Sequence, residues 1–89
     1  MHKFEIKPEL QKKLVVLFKK DKSTYEKVMK KIEEIINSDS LDHYKNLRHD
    51  MKGDKRVHIG PFVLVFSFDN SKELISFLDF DHHDKIYRG

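Results

Sequence analysis

The sequence predicts an α+β fold: an N-terminal strand, a helical hairpin and a three-strand antiparallel meander, in the order β-α-α-β-β-β. Three observations carry that expectation. Apolar residues recur at helical intervals between Leu10 and Ile36. From Lys55 onward they change to the shorter runs and alternation of strands. Turn-forming residues divide those runs at Gly60-Pro61 and at Asp69-Asn70-Ser71-Lys72. At 89 residues the chain suits one domain, residues 1–89, with a modest core and no deep internal pocket, so any chemistry belongs on a shallow surface.

His2 to Lys7 alternates around Phe4 and Ile6 and reads as a short strand ended by Pro8, a residue suited to the first position of a helix. In the helix that follows, Leu10, Leu14 and Leu17 form an apolar stripe, and Val15, Val16 and Phe18 widen it. Lys19 and Lys20 close it, where cations complement the helix dipole. A second helix is expected from Ser23, because Ser23 and Glu26 have capping-box spacing and Tyr25, Val28, Met29, Ile32, Ile35 and Ile36 follow at helical intervals. Asn37-Ser38-Asp39-Ser40 stops it. Leu41 to Gly53 is a weakly patterned connector anchored by Leu41, Tyr44, Leu47 and Met51. Strands are expected at about Lys55 to Ile59, Phe62 to Asp69 and Glu73 to Phe80.

Hydrophobic residues make up 38% and charged residues 37% of the chain without any low-complexity tract, which favours a folded, highly charged domain over disorder. No apolar run approaches the ~20 residues of a membrane span, and the N-terminus lacks a signal-peptide segment. A cytoplasmic protein with no membrane partner is expected. The absence of cysteine excludes disulfides and thiolate metal sites. The net charge of +3 is uneven: residues 1–36 hold ten Lys against six acidic residues, while residues 62–89 hold three basic residues against five acidic ones. Basic helices beside a mixed sheet could track a polyanion.

Side chains alternate along a strand, so Arg56 and His58 share one face while Val57 and Ile59 share the other. On the next strand Phe62, Leu64, Phe66 and Phe68 form the bulkier set, suited to cover the helices, which leaves Val63, Val65 and Ser67 opposite. The expected result is a face with Arg56 and His58 around a shallow apolar floor of Val63 and Val65. Such a face is either the solvated side of an edge strand, with Val63 and Val65 covered by another element or by a partner, or a site for phosphate. RNA cleavage needs a base for the 2′-hydroxyl, an acid for the 5′-oxygen and positive charge for the crowded phosphorane. Histidine, which titrates near pH ~6.5, can serve as either acid or base. Asp79, Asp81, His82, His83 and Asp84 are metal-ligating types but lack the fixed spacing of zinc motifs, and no metal is expected. Tyr87 either packs on the sheet edge or offers a hydroxyl and a stacking surface.

Taken together, the element order, Leu47-Arg48 ahead of Lys52-Gly53, the run from Lys55 to Phe66, and the ending His82-His83-Asp84-Lys85-Ile86-Tyr87-Arg88 resemble the RelE/ParE toxin superfamily, most closely its RelE branch. The resemblance covers essentially the whole chain. It implies a RelE-like fold and the toxin of a type II toxin–antitoxin system: an mRNA interferase, or ribosome-dependent endoribonuclease, that cuts mRNA in the A site and inhibits translation. It further implies metal-independent catalysis without a cofactor, and a RelB-like antitoxin, the ribosome and mRNA as partners. Arg56 and His58 match two alternating basic positions that bind the mRNA backbone and assist catalysis, His58 standing where lysine or arginine is usual. Val63 takes the place of an arginine that contacts the scissile phosphate, and Asp81 lies where some members have arginine. Catalytic roles thereby fall to His58, His83 and Tyr87, and RNA contacts to Arg48, Lys52, Arg56, His82 and Arg88. The same superfamily includes ParE-like gyrase poisons, and a non-catalytic module binding nucleic acid or protein is a further alternative.

Overall fold

The computed structural model describes residues 1–39, 41 and 54–88. Seven elements follow in order: β1 (Lys3–Ile6), α1 (Pro8–Lys20), α2 (Lys22–Ile36), β2 (Asp54–Ile59), β3 (Phe62–Asp69), β4 (Leu74–His82) and α3 (His83–Arg88). This is the expected α+β order with a short helix added at its end.

The two long helices meet at one residue. Asp21 ends α1, its N–H donating to Leu17 O, and also caps α2, its carboxylate accepting from Thr24 N and from Thr24 Oγ1. The cap is therefore Asp21 and not Ser23: an aspartate that accepts from a free N–H in the first turn of α2 displaces the capping box by setting the cap two residues earlier. Leu10 and Leu14 of α1, and Val28, Ile32, Ile35 and Ile36 of α2, are buried. Val15, Val16 and Phe18 do not widen the buried stripe; each is about half exposed.

The sheet has the order β1-β4-β3-β2. The meander β2-β3-β4 is antiparallel, whereas β1 joins β4 in parallel, Phe4 facing Ile75 and Ile6 facing Phe77. An irregularity between Val65 and Phe66 restores the alternation that keeps Phe66 and Phe77 in the core. Leu64, Phe66, Ile75, Phe77 and Phe80 pack under the two long helices, with Val57, Phe62 and Phe68 at the margin. The aromatic set of β3 thus covers the helices, as its alternation requires. Gly60 bridges β2 and β3 at φ +59, a left-handed conformation that glycine adopts without steric cost.

Strand β4 runs two residues beyond the expected Phe80, and the terminal cluster then turns into α3. The reason is local: His83 N–H donates to Pro61 O at 2.9 Å, outside the strand ladder, and fixes the start of the helix on the β2–β3 turn. Among the described residues no helix is long and apolar enough to cross a membrane.

Candidate functional site

The strand register places His58 directly opposite Val63 and Arg56 opposite Val65. Cross-strand partners share a face, so these four residues lie together on the side of the sheet away from α1 and α2. The expected apolar floor is not open, however. Val63 is fully buried and Val65 nearly so. The side of α3 that carries His83 and Tyr87 lies against this face, so of the two expected coverings, another element or a partner, the chain itself provides one.

His83 and Tyr87 are four residues apart on α3 and so fall on one side of the helix. Their rings lie 4.5 Å apart. On the other side His83 stacks on His58, with centroids 5.6 Å apart and planes 26° from parallel. Arg56 completes the series, its Cζ 5.3 Å from the Tyr87 ring centroid in cation–π geometry. Both imidazoles face solvent, while Arg56 and Tyr87 are half-buried. The Tyr87 hydroxyl is shielded from water and meets no hydrogen-bond partner among the described residues. Asp84 lies beside His83 with a carboxylate oxygen 3.6 Å from Nδ1, too far for a hydrogen bond. The patch therefore offers two solvent-reachable groups able to give or take a proton, one fixed cation and one phenol.

Four of the residues singled out in the sequence, Arg56, His58, His83 and Tyr87, converge here. His82 does not: it points to the helix side, its ring 5.9 Å from Phe62. Arg88 closes α3, but its side chain lies outside the described residues, as do Arg48 and Lys52 altogether. Asp79 and Asp81 are engaged by Lys13 of α1, whose Nζ lies 2.6 Å from Asp79 Oδ1 and 3.0 Å from Asp81 Oδ2. Burial alone would raise the Asp81 pKa, but hydrogen bonds from Lys13 and from His82 N–H outweigh it and hold the carboxyl below its usual range. Burial likewise works against the Lys13 ammonium, and its two carboxylate partners overcome it and raise the pKa. Among the described residues no group of three or more His, Asp or Glu side chains is arranged to hold a metal. Sequence reasoning missed Lys13, which carried no signal beyond being one of ten lysines in the helical half. It also missed α3, although the four-residue spacing of His83 and Tyr87 is compatible with a helix.

Comparison with known proteins gives a consistent set. No family model matches the chain. A protein of Methanocaldococcus jannaschii named "Putative toxin RelE4" is 48% identical over 89 residues, covering 99% of this chain and 93% of its own. The crystal structure of the isolated E. coli RelE toxin superposes with a TM-score of 0.72 at 16% identity, over 92% of this chain and 84% of that one. The toxin-antitoxin complex RelBE of E. coli contains a chain that superposes with a TM-score of 0.71 at 16% identity, over 92% of this chain and 96% of that one.

Proposed function

The chain belongs to the RelE toxin family, and from that premise we propose that it is a ribosome-dependent endoribonuclease that cuts mRNA. The observation that carries this reading is the convergence of Arg56, His58, His83 and Tyr87 from two distant segments onto one solvent-facing patch. In the reaction the 2′-oxygen attacks the adjacent phosphorus while one imidazole takes its proton. The P–O5′ bond breaks as the other imidazole gives a proton to the departing 5′-oxygen, leaving a 2′,3′-cyclic phosphate and a 5′-hydroxyl. The Arg56 guanidinium balances the charge that builds on the phosphorane, and the Tyr87 hydroxyl, shielded in the free protein, turns outward to donate to a phosphate or ribose oxygen when RNA binds.

The patch is shallow, so the chain alone supplies little to align an RNA for in-line attack. The ribosome, holding mRNA in its decoding site, supplies that alignment. Metal ions have no step in this scheme. A cognate antitoxin is the expected protein partner, in keeping with the toxin–antitoxin complex whose fold this chain shares.

The test is cleavage of mRNA on programmed ribosomes. The wild type is expected to cut, and His58→Ala or Tyr87→Phe to cut much less; undiminished cutting by both removes the site. Equally fast cutting of naked RNA removes the ribosome dependence. Blocked DNA supercoiling with intact mRNA would replace the nuclease reading with that of a gyrase poison.

A further inference from the structure

The register of the sheet aligns two rows across its site face. One row is His58, Val63 and Asp81; the other is Arg56, Val65 and Asp79. Each basic residue of β2 therefore has a carboxylate at the far end of its row, two strand spacings or about 10 Å away. A polyanion bound at Arg56 and His58 feels those carboxylates as repulsive charges from the far end of each row.

The carboxylates are not free to move away. β1 ends its pairing at Phe77, so β4 beyond that point has an edge that no described strand covers. Asp79 accepts from Phe80 N–H and Asp81 from His82 N–H, each at 2.8 Å. Both acids are thus held at the open edge of β4 by a structural duty, satisfying backbone donors along that edge. Lys13 reaches them from α1, on the opposite side of the sheet, and touches both.

We propose that Lys13 is a positioning residue for RNA: by holding Asp79 and Asp81 it halves their net charge and aims it away from the face carrying Arg56 and His58. The inference rests on the RNA-cutting reading above. With Lys13 the three side chains sum to −1; without it they sum to −2. One added charge at about 10 Å in water weakens binding roughly twofold for each phosphate in reach. An RNA spanning both rows should therefore bind Lys13→Met about two- to fourfold more weakly at 10 mM salt, where the Debye length is about 30 Å, and equally well at 1 M, where it is about 3 Å.

Two measurements decide it. The first is the Kd for a fluorescein-labelled, 2′-O-methylated oligouridylate, which cannot be cleaved. The second is kcat and KM on programmed ribosomes. Lys13→Met is expected to raise Kd and KM by the same two- to fourfold and leave kcat unchanged. The combined variant Lys13→Met, Asp79→Asn, Asp81→Asn, whose asparagine oxygens can still accept from Phe80 and His82 N–H, is expected to bind at least as tightly as the wild type. If the combined variant stays as weak as Lys13→Met, Lys13 acts by packing and the proposal falls. It falls also if Lys13→Met binds like the wild type or if the wild type does not bind the RNA. A wild type that binds the oligonucleotide but cuts no mRNA overturns the nuclease reading alone, and the ladder of Kd values still decides the role of Lys13.

Discussion

The imidazoles of His58 and His83 are stacked 5.6 Å apart, although one sits on an edge strand and the other on the terminal helix. That contact exists because His83 N–H is held by Pro61 O, in the turn that follows His58 on β2. If the two rings divide the proton transfers between them, His58→Ala and His83→Ala should each slow cleavage roughly a hundredfold. The double variant should be little slower than either single one, because residues that act as a unit are not additive. Single-turnover cutting on ribosomes reads this; a double variant slower by the product of the two losses would mean that the rings work independently.

Tyr87 separates activity from stability. Its hydroxyl is buried and has no partner among the described residues, and removing such a group is neutral or stabilising by up to about 1 kcal/mol. Tyr87→Phe should therefore unfold in urea at or above the wild-type midpoint while cutting mRNA more slowly. A stability loss above about 1 kcal/mol would show that the hydroxyl is engaged in the free protein.

Gly60 carries the turn on which α3 begins. A Cβ at this position meets nothing within 4 Å, so the cost of Gly60→Ala comes from the left-handed backbone and not from a clash. About 1 kcal/mol is expected, less for Gly60→Asn, since asparagine tolerates that region. Urea unfolding of the two variants measures the difference. Hydrogen exchange at His83 N–H should rise in Gly60→Ala if the strain is relieved by moving Pro61.

Lys13 and Asp81 give stability a pH signature. The folded-state pKa of Asp81 lies below its unfolded value, so its contribution is present above the unfolded carboxylate pKa of about 3.9 and is lost as pH falls through the folded value. The Lys13 pKa is raised, so its contribution is present below about pH 10.4 and lost as pH rises past the folded value. Both side chains are partly exposed, which limits the pair to about 0.5–1 kcal/mol. The difference in urea stability between wild type and Lys13→Met should reach that size at pH 7 and vanish by pH 2. A difference that survives at pH 2 would assign the Lys13 contribution to packing of its methylenes.

Much of this arrangement was legible in the sequence where one rule governed many residues. The spacing of Leu10 and Leu14, and of Val28, Ile32 and Ile35, identified the buried helix faces. The alternation of Phe62, Leu64 and Phe66 likewise identified the side of β3 that faces the helices, and with it the opposite side on which Arg56 and His58 stand. What escaped were contacts set by tertiary geometry. The cap at Asp21 was obscured by a plausible alternative two residues later. The six residues of α3 are too few for an apolar period, and their helix depends on a carbonyl in the β2–β3 turn. That another element covers Val63 and Val65 was one of two readings of the strand pattern, and only the tertiary packing of α3 on this face distinguishes them. Lys13 became distinctive only through the reach between α1 and β4.

The parallel pairing of β1 with β4 has a consequence for synthesis. The first strand made finds its partner only when residues 74–77 have emerged, and His83 and Tyr87 follow later still. Translation proceeds at about 5–20 residues per second, and such distant pairings close only after the intervening chain is available. A nascent chain therefore carries Arg56 and His58 without their counterparts. The proposed site is thus completed late in synthesis, only after α3 follows the strand that pairs with β1.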